Sequence, residues 1–453
     1  MGLARKIAKL LSAGQSLVQL EEKYQALHRA HEEKAQECER ISSERDAWKA
    51  RCEIYQRQEG DEEAPKVFPW GVIRSFFRHD FPEGIKPLDY DFSPKCAPPA
   101  EADIKFVQKL ASVYFKEQEN SSRQLFDKDP GIWNSLMEGH KEIVTLLSDG
   151  ALLESASYLD RMCHTPLTTG FAMNQSLIES MMLYAEAPAD YSLWSHDRFL
   201  SFAEAIGAVS VENPESKTYG DLAGRSLNEV LELVENKLGT TVRLPRFNGG
   251  MWGANTIRGW LTGLDPSALY LVNRIKEIFR DKAPLEALRI GEIGAGLGHV
   301  AFHAISMGCR DYTIFDLPTI NIAQSWFLRR NYPEIPLTLS EVGDSFADRP
   351  AIRVLSTRHF SNIPHCFFDL VINADSLPEL SEEVALTYLR GLRSKSRYFL
   401  SINHEAEVFR SANELHHRVS DLAAKAGGFR RILRAPCWIR KGYVEELYEV
   451  SEA

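Results

Sequence analysis

The chain has 453 residues, more than one hydrophobic core usually organises, so two domains and an accessory segment are expected. Its 63 acidic residues outnumber 53 Lys and Arg, and a formal charge of −10 argues against a nucleic-acid partner, which needs concentrated positive charge to displace counterions. Seven cysteines without a CxxC or Cys/His cluster suit a reduced compartment and no structural zinc, and no run of about 20 apolar residues reads as a transmembrane helix.

The opening "MGLARKIAKLLSAG" places Arg5, Lys6 and Lys9 among apolar residues, in a stretch too short and interrupted for a signal peptide. It reads as a solvated helix start, with weak contact to an anionic membrane surface as the alternative. From Leu17 a seven-residue repeat runs through Leu20, Tyr24, Leu27, His31, Lys34, Cys38, Ile41, Arg45, Trp48 and Cys52 to Tyr55. Nine of these twelve a and d positions are apolar or cysteine, "SLVQ" from Ser16 fits a capping box, and no Gly or Pro interrupts the repeat before Gly60. The pattern predicts an N-terminal coiled coil over 1–58 that makes the protein a homo-oligomer; a single helix packed on its own body is the alternative. "EGDEEAPK" and the five-proline stretch "PEGIKPLDYDFSPKCAPPA" make 59–100 a linker.

Between 101 and 280 the apolar spacing is helical, as in "SLNEVLELVENKLG", where Ser226 and Glu229 form a capping box and Gly239 a stop. The Gly- and aromatic-rich end of this region, "RFNGGMWGANTIRGWLTGL", reads as a tight helix connection or as a mobile loop beside a site. From 287 onward the β-rich runs "ALRIGEI", "DYTIFDL", "LTLSEV", "FDLVINA" and "RYFLSIN" alternate with helical stretches, the grammar of a doubly wound, Rossmann-like α/β sheet. Two further strands, near 429–434 and 443–450, would add an antiparallel edge.

In such a sheet the first strand-to-helix turn approaches a ligand most closely. Here it is "RIGEIGAGLGHVAFHA", residues 289–304, with Gly294, Gly296 and Gly298 on alternate positions. The third glycine lies two positions beyond the second, not three as a nicotinamide dinucleotide fingerprint requires, and the Gly-Lys-Ser/Thr of a P-loop is missing. The pattern is E-x-G-x-G-x-G, with Glu292 ending the first strand and Asp316 ending the second. Those two carboxylates stand beside the turn as hydrogen-bond acceptors.

With these motifs the chain resembles the class I S-adenosylmethionine-dependent methyltransferases. "FDLP" at 315–318, "VGDSFADRP" at 342–350 and "FDLVINADSLPELSEE" at 368–383 are spaced like elements of small-molecule O-methyltransferases. That resemblance implies S-adenosylmethionine as cofactor, held by Glu292, Gly294, Gly296, Gly298, Asp316, Leu317, Asp344 on the adenine side, and Asn373. The set "GEIGAGLG", "DLP…NIAQ", "INADSLPEL" and "LSINHEAE" is most similar to bacterial sugar O-methyltransferases of surface polysaccharide synthesis, over about 245–450. The helical spacing and the resemblance together give a helical substrate or accessory domain, 101–280, and a cofactor-binding methyltransferase domain, 281–453.

A hydroxyl becomes a competent nucleophile only when a base takes its proton. The histidine that begins the segment after the fourth strand in small-molecule O-methyltransferases is Pro378 here, so that base does not carry over. Asp375 and Glu379 after the fourth strand, and His404 with Glu405 after the fifth, are the candidates at the carboxyl edge. His404 ranks first because its ordinary pKa suits the task, with Glu405 or another neighbour fixing its tautomer. Glu379 is the rival, possessing a simpler explanation as a cap near Ser381, and Asp375 with Glu379 could instead hold a divalent cation. His299 and His303 are four apart but lack a third ligand; His303 is expected to pack on the sheet, and His299 is a weak substrate-side candidate.

Together these readings imply a cytoplasmic sugar O-methyltransferase, peripheral to the inner membrane face in one variant, with a sugar or glycan acceptor and a glycosyltransferase as a further partner. The alternatives are methylation of another small hydroxylated metabolite, and an inactive methyltransferase-like scaffold that docks glycan-assembly enzymes.

Overall fold

Short-period apolar spacing in the first half of the chain yields helices. The computed structural model describes residues 76–81, 97–119, 137–172, 187–247, 249–339, 346, 350–405, 409–411 and 414–451, all within the unit Pro69–Ala453. The expected coiled coil lies outside the described residues, as does most of the linker.

Helix α1 (Glu101–Glu119) buries Asp103, Val107, Leu110 and Ala111, a stripe of helical period. It is followed by α2 (Lys141–Ser148), α3 (Leu152–Asp160) and α4 (Ala187–Ala205). In α5 (Leu227–Leu238) the capping box forms as expected: Glu229 N donates to Ser226 Oγ at 3.3 Å, Ser226 N to Glu229 Oε2 at 2.8 Å, and Gly239 ends the helix at φ 68°. The glycine- and aromatic-rich stretch departs from both expectations. It folds as an antiparallel hairpin, β1 (Gly253–Thr256) and β2 (Gly259–Thr262). Glycine at 253 is what permits the pairing, since a Cβ there would lie 2.3 Å from Leu261 O.

Helix α6 (Asp265–Phe279) leads into the sheet, and its first residue is buried. Asp265 accepts from Thr262 N and Thr262 Oγ1, and its other oxygen meets His303 Nε2 at 2.8 Å. His303 thus anchors α6 to α7 (His299–Ser306). His299 is buried with its ring 5.0 Å from that of Phe327, and burial pulls its pKa down to about 4.

The sheet comprises β3 (Arg289–Ile293), β4 (Asp311–Asp316), β5 (Leu337–Leu339), β6 (Ile352–Ser356), β7 (Phe368–Ala374), β8 (Ser396–His404), β11 (Phe429–Pro436) and β12 (Tyr443–Val450), with α8 (Pro318–Asn331), α9 (Glu382–Leu392) and α10 (Val419–Ala426) between strands. The short strands β9 (Phe409–Ser411) and β10 (Glu414–Leu415) pair apart from it. Its order is β11-β12-β8-β7-β3-β4-β6-β5, parallel except at β12, which runs antiparallel to both neighbours. The antiparallel strand is therefore second from the edge, and β11 forms the edge. Parallel strands buried on both faces need apolar residues on both. Ile290, Ile314 and Leu370 enter a core shared with α1–α6, while Ile293, Phe315 and Val371 enter a second one with α9 and α10.

One strand goes unread in the sequence. Beside β4 lies β6, from "IRVLS", whereas "LTLSEV" supplies only the edge strand β5. Arg353, which breaks the apolar run, is fully buried in β6 and paired with Asp311, so a charge hides the strand.

Candidate functional site

The chain leaves β3 toward β4 on one side and reaches β7 on the other, so the crevice at the carboxyl ends of β3 and β7 is the topological switch point of the sheet. The glycine turn and the segment 373–376 flank it. Gly294, Gly296 and Gly298 have φ of 68°, 56° and 95°, a backbone that L side chains rarely adopt. Gly294 has a second constraint, because a Cβ there would fall 2.2 Å from Ser376 Oγ.

Asp316 organises this turn. Its Oδ2 accepts from Ala295 N at 3.0 Å and from Gln324 Nε2 at 2.7 Å, and its Oδ1 accepts from Leu317 N at 2.8 Å. Gln324 Nε2 also donates to Gly296 O at 2.8 Å, fastening the turn to α8. A carboxylate has about four acceptor positions; three are taken, and one remains for a hydroxyl. Burial raises the Asp316 pKa to about 6 against the three donors. Glu292 is buried on the adjacent strand and accepts from Tyr312 Oη at 2.6 Å. Burial raises its pKa to about 7; the Tyr312 hydroxyl opposes this and the charge of Asp316 adds to it.

Leu317 precedes α8, its own N–H fixed by Asp316. Asn373, at the carboxyl end of β7, is bonded within the fold. Its amide donates to Ile293 O at 2.8 Å and accepts from Leu377 N at 3.3 Å and Asn403 Nδ2 at 3.0 Å, so it ties the strand ends together. Asp344 lies outside the described residues. From the helical region, the short turns Met162–His164 and Pro166–Thr168 bring Phe171 over the glycine turn, with its carbonyl oxygen 3.3 Å from where a Gly296 Cβ would sit.

The candidate bases follow at the same edge. His404 ends β8, and its Nε2 is 3.0 Å from Nδ1 of His416, the rings stacked at 5.1 Å. Glu405 does not orient it, because that carboxylate pairs with Arg434 at 2.7 Å. The partner is His416, which the sequence reading passed over because twelve residues separate the two. Asp375 adopts φ 73°, one of two non-glycine residues with positive φ among those described. Its carboxylate meets Arg440 Nη1 at 2.6 Å, and a guanidinium there opposes the cation that Asp375 and Glu379 were expected to share. Burial would push the Asp375 pKa up, but Arg440 and the hydroxyl of Tyr443 hold it below the usual carboxylate value. Glu379 sits on the short turn Leu377–Glu379 before α9, its N–H donating to Ser376 O.

The strand order, with an antiparallel strand second from one edge and a glycine turn at the switch point, defines a Rossmann-like doubly wound sheet. No protein-family model matches the chain, and neither does any curated protein sequence. Solved structures similar to part of it include magnesium protoporphyrin IX methyltransferase from Synechocystis PCC 6803 with bound SAM, at 14% identity and a TM-score of 0.29 over 42% of this chain and 83% of that one. The glycopeptide N-methyltransferase MtfA complexed with sinefungin aligns at 15% identity and a TM-score of 0.30, over 41% and 87%. The CcbJ methyltransferase from Streptomyces caelestis aligns at 13% and 0.31, over 41% and 90%.

Proposed function

We propose that the protein is an S-adenosylmethionine-dependent O-methyltransferase whose acceptor is a sugar hydroxyl, acting in bacterial surface polysaccharide synthesis. The observation that carries the reading is the switch-point crevice, where a glycine turn bonded to Asp316 leaves one acceptor position of that carboxylate open. The described residues fit the cofactor: Gly294–Gly298 allow close backbone approach, Asp316 can accept from a ribose hydroxyl and Glu292 is assigned to the amino end, with Asp344, outside the described residues, assigned to the adenine. Bound there, S-adenosylmethionine supplies a methyl group activated by its sulfonium.

The chain's own part is to place a hydroxyl and remove its proton. His404 is the proposed base. In its hydrogen bond with His416 one ring nitrogen donates and the other accepts, so the pair holds His404 in one tautomer and spreads the charge of a captured proton. Glu379 is the rival. Residues 1–58 are assigned to self-association and to docking of a glycosyltransferase, on the cytoplasmic side of the membrane.

Calorimetry with S-adenosylmethionine on the wild type and on Gly296→Val tests the reading. The wild type should bind and the variant should not, since a branched side chain at φ 56° beside Phe171 fills the cradle. Equal affinity in the two proteins overturns the assignment. A wild type that binds cofactor yet methylates no member of a broad glycan panel shifts the reading to the inactive scaffold.

A further inference from the structure

Two arginines lie beyond the glycine turn and His404: Arg440, paired with Asp375 after β7, and Arg198 on α4, whose charge interacts with both. Arg198 projects from α4 on the face that carries Tyr191 and Trp194, and its guanidinium lies 3.7 Å from the centre of the Trp194 ring. Nη1 donates to Gly263 O at 3.2 Å. Arg440 comes from the β11–β12 connection and lies 3.5 Å over the ring of Tyr443, the residue registered opposite His404. Each guanidinium thus rests on an aromatic face. Stacking fixes the plane of the cation while leaving its in-plane N–H groups free to meet an acceptor.

Asp375 is the carboxylate to which both cations respond, and it binds one nitrogen of Arg440. Arg440 Nε is buried and has no hydrogen-bond partner among the described residues. A buried N–H left unpaired costs free energy that a ligand can recover. The Asp375 side chain is 47% exposed where that of Arg440 is 17% exposed, so the cluster opens outward at the carboxylate. The positive φ of Asp375 is a local strain of the type that collects at functional sites. Among Arg198 and the described residues that act on it, two cations against one carboxylate leave one positive charge uncompensated. Consistent with that excess, burial and the like charge of Arg440 pull the Arg198 pKa down.

We infer that Arg198 and Arg440 form a subsite for an oxyanion carried by the methyl acceptor, a carboxylate or a phosphoryl group, so that the acceptor is an acidic or phosphorylated sugar and not a neutral one. The inference rests on the proposed function for the identity of the acceptor, but the anion subsite itself does not depend on the cofactor.

Ligand-detected NMR titration of the full chain with glucuronate, glucose 1-phosphate and glucose tests it, with S-adenosylmethionine binding measured on the same samples. At least one anion should bind about tenfold or more tighter than glucose, the factor that one charged hydrogen bond supplies. The tighter of the two anions identifies the group. Arg440→Met should abolish the preference, and Arg198→Lys should weaken it. Asp375→Asn acts in the opposite direction: asparagine tolerates positive φ, and removing the competing carboxylate should tighten anion binding, which a misfolded variant cannot mimic. If glucose binds as well as both anions, or if Asp375→Asn leaves anion affinity unchanged, the subsite is refuted. An anion preference in a chain that fails to bind S-adenosylmethionine refutes the proposed function and leaves the subsite standing.

Discussion

His79 should make the stability of this protein fall on the alkaline side. It belongs to the short segment 76–81 that docks on α4, where its Nδ1 lies 2.8 Å from Asp197 and its Nε2 3.2 Å from Glu204. The N–H groups of Arg78 and His79 also donate to Asp197, each at 2.9 Å. Burial opposes the charge on the imidazole, but the hydrogen bonds and charges of the two carboxylates prevail and raise its pKa from 6.5 to about 9. That difference is worth about 3 kcal/mol, at 1.36 kcal/mol per tenfold change in proton affinity. Because the folded-state pKa is the higher one, this stabilisation is fully present below pH 6.5 and is lost as pH rises through about 9. Urea unfolding followed by tryptophan emission, at intervals from pH 6 to pH 10, measures it on the wild type and His79→Gln. The wild type should lead by about 3 kcal/mol at the acid end, with the gap closing toward pH 10. A gap that stays constant across the range would mean that the imidazole is neutral in the fold, and the account of this contact would be wrong.

Gly294→Ala should destabilise the chain by about 2–5 kcal/mol, the sum of a left-handed alanine and overlap with Ser376. Ser376→Gly should restore only the overlap part, which a double-mutant cycle by denaturation reads as coupling. His404→Ala should slow methyl transfer by about 10²–10⁴-fold with cofactor affinity unchanged, and His416→Ala should shift the acid limb of the pH–rate profile; a large loss in Glu379→Gln with His404→Ala silent would move the role of base. Deleting residues 1–58 should lower the mass measured by light scattering while cofactor binding persists; two monomers would rule out self-association through that segment.

Most of the sheet is legible in the chain because a parallel strand buried on both faces is predominantly apolar, and more than half the residues of "ALRIGEI", "DYTIFDL", "FDLVINA" and "RYFLSIN" are apolar. The glycine turn and Asp316 are equally local: the backbone of the turn demands glycine, and the carboxylate ends the next strand. What escapes the sequence depends on distance along the chain or on compensation. The β6 strand hides behind Arg353, whose charge Asp311 compensates from across the sheet. The bonds of Asn373 to Ile293 and Asn403 join three strands far apart in the chain. The pairing of His404 with His416, and the convergence of Arg198 with Arg440, require elements up to 242 residues apart to meet at one edge of the sheet. Periodicity and turn chemistry therefore determine which elements form. The contacts that set a side chain's charge, tautomer and partner arise only when the strands have been ordered, because those energies fall off over a few ångströms and carry no sequence period.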